Sequence, residues 1–163
     1  MNGGLPGVRT MPDSGKRYWA LIVEDDPGHV LFIKAVFAHF DKNAYISVAK
    51  NAEEAIAHMR GPWPDSDVGS WALPDVIVLD IVMAGLGGLG FLEWYAGEPR
   101  LAQVPIVVFT ASKDVDLERK CRALGAREFK VKPADFSELV PLVQRVLGEY
   151  VAGFSRDSSE TSA

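Results

Sequence analysis

The run Val76-Ile77-Val78-Leu79 is apolar throughout and ends on the carboxylate of Asp80. An uninterrupted run of mostly β-branched apolar residues is typical of a strand buried on both faces, as in a parallel sheet. A glycine-containing stretch, residues 81–88, follows at once. Because ligand sites of open α/β sheets lie just outside the carboxyl ends of the strands, Asp80 is a candidate site residue.

Four more apolar runs along the chain are typical of strands, and helical patterns separate them. These runs cover residues 18–23, 44–49, 104–110 and 128–131. Strands that alternate with helices in this way are typical of a parallel sheet with helices on both faces. We therefore predict an α/β fold with a doubly wound, five-stranded parallel sheet.

Local signals predict where the helices begin and end. Pro27 suits the first turn of a helix, and Asn51 with Glu54 three residues later forms a pattern similar to a capping box. Ser112 is predicted to be the N-cap of a later helix that Gly125 ends.

Two connections are less regular. The helix after the glycine-containing stretch is expected to begin at about Gly90. The loop over residues 61–74 is long for its place in such a fold and contains Trp63 and Trp71. We favour packing of these tryptophans against the core, with an exposed partner surface as the alternative.

Composition narrows the class of protein. The 163 residues are 48% hydrophobic and 24% charged, as in an ordinary globular domain. The net charge of −5 and the lack of a basic run disfavour nucleic-acid and anionic-membrane binding. A single cysteine, Cys121, excludes an internal disulfide and indicates a reducing, cytoplasmic location. No apolar run approaches the roughly 20 residues of a membrane span.

The ends of the chain differ in composition from its middle. Residues 1–16 are rich in glycine and proline, and residues 153–163 are mostly polar. We expect a disordered leader over 1–16, a folded domain over 17–152 and a disordered tail over 153–163.

Polar side chains at four strand ends share one edge of the predicted sheet. They are Glu24, Asp25, Asp80, Thr110 and Lys132. Three carboxylates without a cation repel one another, and such oxygen-rich clusters suit Mg²⁺. A nearby hydroxyl and ammonium would meet the needs of a bound phosphoryl group.

With these residues in place, the sequence resembles the receiver domain of two-component response regulators over nearly all of residues 18–150. The motifs that carry the resemblance are VEDDP at 23–27, LDIVMAGLGG at 79–88, FTAS at 109–112 and VKP at 131–133. Each is weak alone, but together they occur in order and at strand ends. The resemblance implies a flavodoxin-like sheet with strand order 2-1-3-4-5. The long loop, the run EPRLAQVPIVVFT and the ending GEYV are similar to single-domain regulators that serve phytochrome-type sensor kinases.

The resemblance implies a phosphoacceptor and a metal site. Asp80 would take a phosphoryl group from a histidine of a partner kinase or a histidine phosphotransfer protein. Asp25 and Asp80 would bind Mg²⁺ directly, Glu24 would act through water, and the backbone carbonyl of Val82 would complete the ligand set.

It also implies a switch. Lys132 would hold a phosphoryl oxygen, Thr110 would turn its hydroxyl toward the phosphate, and Phe129 would turn inward. From the residues alone, Lys132 could instead be a solvated lysine, Thr110 a packed strand-end residue, and Phe129 plain core.

Three positions after Asp80 bear on how the site behaves. Ala84 and Gly87 stand where the family usually has proline and an acidic or amide residue, so a looser turn is expected. Val82 can neither position nor polarise an attacking water, so we expect slow spontaneous loss of phosphate.

The sequence leads to one principal function and two alternatives. The principal one is a stand-alone response regulator, not an enzyme, that signals through protein contacts. We expect such a regulator to form a homodimer through its fourth and fifth helices and strands. The first alternative is a scaffold of the same fold that works without phosphorylation. The second, a phosphatase similar to haloacid dehalogenases, is disfavoured because Val82 stands where such enzymes need an acid. His29, near the acidic residues, is interpreted as a helix-surface histidine, with a metal ligand as the alternative.

Overall fold

The structure is a computed structural model that describes residues 19–40, 45–60 and 73–133, together with Pro141 and Arg145. The predicted leader and tail, and Trp63 and Trp71, lie outside the described residues, so the expected domain boundaries and the packing of these tryptophans stay predictions. In the described part, no helix is long and apolar enough to cross a membrane.

Five strands form one sheet in the described part of the chain. They are β1 (Trp19–Val23), β2 (Tyr45–Ala49), β3 (Val76–Leu79), β4 (Ile106–Thr110) and β5 (Glu128–Val131). The order is β2-β1-β3-β4-β5, and every neighbouring pair is parallel. The predicted fold class and strand order are therefore confirmed. Because all five strands run the same way, their carboxyl ends lie at one edge of the sheet.

Burial follows the position of each strand in the sheet. Every residue of β1, β3 and β4 is buried, whereas the edge strands β2 and β5 contain half-buried positions. Central strands of a sheet covered on both faces have no solvent side, which explains the apolar runs without polar alternation.

Four helices are described. They are α1 (Pro27–Phe40), α2 (Ala52–Met59), α3 (Gly87–Ala96) and α4 (Val115–Ala123), with a single 3-10 turn at Pro99–Leu101. The start of α1 at Pro27 agrees with the sequence. Asn51 caps α2 as expected, since its Oδ1 accepts a hydrogen bond from the Glu54 amide at 2.7 Å. The Glu54 carboxylate accepts a hydrogen bond from the Lys50 amide at 2.9 Å. In a standard capping box it would accept from the amide of the N-cap residue itself, Asn51.

The prediction of Ser112 as the N-cap of α4 is wrong. The cap is Asp114, whose Oδ1 accepts from the amides of Asp116 and Leu117, at 2.9 and 3.4 Å. The Ser112 hydroxyl accepts from the Asp114 amide and so stabilises the turn that precedes the cap. The helix ends as predicted, because Gly125 adopts a φ of 108°, which favours glycine.

The helix α3 begins at Gly87, three residues before the expected start. Gly87 and Gly85 both have left-handed backbone, with φ of 70° and 75°, so the chain reverses sharply after β3. Gly88 then packs against the backbone that directly follows β3. A Cβ built on Gly88 would lie 2.2 Å from the carbonyl oxygen of Asp80. Close approach between helix and strand end therefore requires glycine at position 88.

Candidate functional site

The register of β1 against β3 places the first two acidic groups side by side. Val23 pairs with Leu79, so Glu24 and Asp80 are the next residues on adjacent strands. The Asp80 amide donates to the Val23 carbonyl at 2.9 Å, and the Glu24 amide donates to the Ala49 carbonyl at 3.1 Å. These backbone bonds fix both side chains at the carboxyl edge of the sheet.

Glu24, Asp25 and Asp80 form an acidic cluster. Each offers a carboxylate oxygen, and these oxygens lie within 4.8 Å of one another. Glu24 and Asp80 are 2% and 5% exposed, whereas Asp25 is exposed. The cluster is therefore open to solvent on the Asp25 side and closed on the strand side, as a site that admits a hydrated ion requires.

Lys132 enters the same cluster from the end of β5. Its amide donates to the Thr110 carbonyl at 2.7 Å, which extends the pairing of β4 with β5 by one residue. Its Nζ lies 2.7 Å from Oε2 of Glu24 and 3.4 Å from Oδ2 of Asp80. The sequence prediction that these strand-end residues converge is thus matched by the arrangement of all four charged groups.

The environment of Glu24 favours its neutral form. Burial is the main cause of the raised pKa of this carboxyl, and the neighbouring Asp80 carboxylate adds to it. Hydrogen bonds from Lys132 and from the Asp26 amide act in the opposite direction. Burial therefore outweighs the hydrogen bonds from Lys132 and the Asp26 amide in setting the pKa of Glu24.

Thr110 ends β4 and pairs with the end of β5 next to Lys132, whereas Phe129 lies inside β5, opposite Val108. Thr110 is fully buried, and its Oγ1 accepts from the Ser112 amide at 3.2 Å. Phe129 is 6% exposed and packs in the core. Phe129 is thus already inward in the unphosphorylated chain, and the roles of both residues in a switch stay predictions.

Val82 contacts Asp80 through its backbone. Its amide donates to Oδ1 of Asp80 at 3.2 Å, and its side chain is 62% exposed. An exposed apolar side chain next to the carboxylate offers no hydrogen bond to a water that approaches Asp80.

The turn after Val82 is held by a residue that the sequence analysis missed. Oε1 of Glu53, in the first turn of α2, accepts from the Leu86 amide at 2.7 Å. This bond is the main cause of the lowered pKa of Glu53. The expected looseness from Ala84 and Gly87 is therefore opposed by an anchor 33 residues away in the chain, which no local pattern could reveal.

His29 is the second residue missed by the sequence analysis. It is the third residue of α1, and its side chain is 34% exposed. Its Nδ1 lies 2.8 Å from Nζ of Lys132 and 3.7 Å from Oε2 of Glu24. The sequence feature that could have predicted this contact is the position of His29 in the first helical turn after a strand that ends in acidic residues. The interpretation as a helix-surface residue agrees with this partial exposure but did not include the contact with Lys132.

Asp26 has a structural role at the start of α1. Its Oδ1 accepts from the amides of Gly28 and His29 at 2.8 and 3.1 Å, and these bonds lower its pKa. Asp26 therefore caps α1 and is not part of the acidic cluster.

Comparisons with known proteins agree with this geometry. At the sequence level, the chain is 26% identical over 136 residues to the probable methanogenesis regulatory protein FilR2 of Methanothrix harundinacea (strain 6Ac). That match covers 83% of this chain and 84% of FilR2. It is 35% identical over 77 residues to the DNA-binding transcriptional regulator NtrC of Escherichia coli (strain K12), which covers 47% of this chain and 16% of NtrC.

Solved structures show the same fold. The phosphorylated cyanobacterial phytochrome response regulator RcpA has a TM-score of 0.74 at 21% identity, over 88% of this chain and 100% of that one. The Mn(2+)-bound form of response regulator Rcp1 has a TM-score of 0.71 at 18% identity, over 86% and 99%.

A family model described as the response regulator receiver domain matches residues 20–144. This match spans every described strand except the first residue of β1, and it includes the whole acidic cluster and Lys132. The chain therefore belongs to the response regulator receiver family, whose members are signalling modules.

Proposed function

We propose that this chain acts as a response regulator of a two-component phosphorelay, in which Asp80 accepts a phosphoryl group from a histidine of a partner protein. The observation that carries the proposal is the position of the Lys132 ammonium, 2.7 Å from buried Glu24 and 3.4 Å from buried Asp80. A carboxylate nucleophile with an ammonium beside it suits the transfer of an anionic group.

We infer that Mg²⁺ is the cofactor, because the donor set consists of carboxylate oxygens that suit a hard cation. Asp25 and Asp80 would bind it directly, Glu24 through water, and the Val82 carbonyl would complete the set. When bound, the ion would neutralise charge on the carboxylates and on the phosphoryl oxygens. The Mn(2+)-bound form of Rcp1, a structure of the same fold, supports a divalent cation here.

Asp80 would act as the nucleophile. One of its carboxylate oxygens attacks the phosphorus of a phosphohistidine, so a P–O bond forms while the P–N bond breaks. The leaving imidazole keeps the electron pair and takes up a proton, and an acyl phosphate remains on Asp80. Lys132 holds a phosphoryl oxygen as a point charge through this in-line transfer.

The covalent phosphate would bias two conformations of the chain. Thr110 would exchange its hydrogen bond with the Ser112 amide for one to a phosphoryl oxygen. Phe129, which is already buried on β5, would keep its inward position. Differential contact with the phosphate is the physical requirement for such a switch.

The readout would be protein contact and not substrate turnover or nucleic-acid binding. A phytochrome-type kinase or a histidine phosphotransfer protein is the proposed donor, supported by the fold shared with RcpA. A homodimer through the fourth and fifth helices and strands, of which α4, β4 and β5 are described, is proposed, and the cytoplasm is the proposed location.

Incubation with Mg²⁺ and acetyl phosphate, followed by intact mass, tests the phosphoacceptor. We expect one added phosphoryl group, its loss in Asp80→Asn, and its retention in Asp26→Asn, where asparagine still caps α1. Chelation of Mg²⁺ should suppress the adduct. An adduct that survives Asp80→Asn contradicts the proposal. If no adduct forms, a scaffold that works without phosphorylation becomes the better account.

A further inference from the structure

We propose that His29 is a positioning residue for Lys132: its neutral imidazole accepts a hydrogen bond from the Lys132 ammonium and directs that ammonium toward Asp80. The part of this inference that concerns phosphoryl transfer rests on the proposed function. The contact itself does not, because it exists in the unphosphorylated chain.

Hydrogen-bond roles determine the tautomer. An ammonium group has three donors and no acceptor, so the 2.8 Å contact between Nζ of Lys132 and Nδ1 of His29 requires that Nδ1 accept. The imidazole proton must then lie on Nε2. A direct ion pair of His29 with Glu24 is the weaker alternative, because its atoms are 3.7 Å apart and the ammonium is closer to both.

Two of the three ammonium donors can now be assigned. One goes to Oε2 of Glu24 at 2.7 Å and one to Nδ1 of His29 at 2.8 Å. Oδ2 of Asp80 lies farther away, at 3.4 Å, and is an ion-pair partner of the ammonium, not a hydrogen-bond acceptor. Two short bonds therefore orient the group and hold it within ion-pair distance of the acceptor carboxylate.

The backbone that carries His29 is itself fixed. Pro27 begins α1, and Oδ1 of Asp26 accepts from the amides of Gly28 and His29. A capped first turn keeps the imidazole at the rim of the cluster, where it contacts the end of a side chain 103 residues later in the sequence.

The chemistry of an imidazole suits this task. A carboxylate at position 29 would add a fourth negative charge and attract Lys132 away from Asp80. A neutral acceptor orients the ammonium without such competition. Loss of this acceptor leaves one donor unpaired and allows the flexible lysine side chain to turn toward solvent.

Long-range ¹⁵N NMR of the histidine rings, without Mg²⁺ and at an alkaline pH where imidazoles are neutral, tests the contact. We expect His29 as the Nε2–H tautomer, and we expect Lys132→Met to shift its Nδ1 resonance while Lys34→Met, on the exposed face of α1, does not. A proton on Nδ1, or an Nδ1 resonance unchanged by Lys132→Met, overturns the inference.

The rate of phosphorylation by acetyl phosphate tests the consequence. We expect His29→Ala to slow it by about fivefold, the scale of one hydrogen bond. His29→Asn, whose Oδ1 can stand in for Nδ1, should restore the rate, and Leu31→Ala on the same helix should leave it unchanged. Circular dichroism and thermal melting establish that each variant is folded.

The two arms separate the possible failures. If the wild-type chain takes no phosphoryl group, the proposed function fails and NMR alone decides the His29 contact. If the wild-type chain is phosphorylated and His29→Ala reacts as fast, or His29→Asn as slowly as His29→Ala, the positioning role is wrong.

Discussion

Nζ of Lys132 lies 2.7 Å from Oε2 of Glu24, and both side chains are shielded from water, at 14% and 2% exposure. Lys132 is therefore paired with a member of the acidic cluster before any phosphate is present. A lysine that neutralises part of a proposed cation site also repels the cation that would bind there.

We expect Lys132→Met to tighten Mg²⁺ binding by the unphosphorylated chain by about threefold to tenfold, because one positive charge is removed from the cluster. Isothermal titration calorimetry measures the affinity. Lys120→Met, an exposed lysine on α4, is the control and should have no effect. Unchanged or weaker binding in Lys132→Met would show that the ammonium does not compete with the ion.

We expect Val82→Asn to speed the loss of phosphate from Asp80. The valine side chain is exposed, two residues after Asp80, and cannot orient water, whereas an amide can donate to and accept from an attacking water molecule. A rate increase of about tenfold is the scale of one hydrogen bond to that water.

Decay of the phosphorylated mass after removal of donor measures this rate. Val115→Asn is the matched control, since Val115 is equally exposed, at 66%, in the first turn of α4. Equal decay in the two variants and the wild type would remove Val82 as a determinant of phosphate lifetime.

The two adjacent glycines at the start of α3 should differ in their tolerance of alanine. At Gly87 a Cβ has 3.7 Å of clearance, so Gly87→Ala bears only the cost of φ at 70°, about 1–2 kcal/mol. At Gly88 the Cβ would lie 2.2 Å from the Asp80 carbonyl oxygen and 2.6 Å from Cα of Ile81, so a backbone shift costing about 2–4 kcal/mol is expected.

Chemical denaturation measures both variants. Gly87→Asn should cost less than Gly87→Ala, because asparagine adopts left-handed backbone more readily. A smaller loss of stability in Gly88→Ala than in Gly87→Ala would show that the approach of α3 to the end of β3 is not as close as described.

The phenol of Tyr95 should make stability fall at alkaline pH. Its hydroxyl donates to the buried carbonyl of Val104 at 2.8 Å, and burial raises its pKa. The unfolded chain loses this proton near pH 10.0, its ordinary value, before the folded chain does. The contribution of Tyr95 is thus complete below that pH, and it declines as pH rises toward the folded pKa.

Denaturation of Tyr95→Phe checks both consequences. At neutral pH the variant should lose about 1–2 kcal/mol, because the Val104 carbonyl is left without its donor. Above pH 10 its stability should fall less steeply than that of the wild type. Parallel pH profiles would show that the phenol does not titrate differently on unfolding.

The sequence by itself determined the sheet and the identity of its edge residues. Apolar runs such as Val76–Leu79 are recognisable from the sequence alone, because a strand that is buried on both faces contains only apolar residues. Parallel strands then require that Glu24, Asp80 and Lys132 share an edge. Helix starts at Pro27 and Asn51 were predictable for a similar reason, since capping depends on residues within one turn.

Only the tertiary structure decided how that edge is arranged. The Leu86 amide bonds to Glu53, His29 contacts Lys132, and Gly88 lies close to the backbone of Asp80. No local sequence pattern predicts that these residues lie near one another. Even the N-cap at Asp114 depended on where the chain leaves β4. Local propensity describes how a segment prefers to fold, whereas distances between side chains of different segments exist only after the segments have packed.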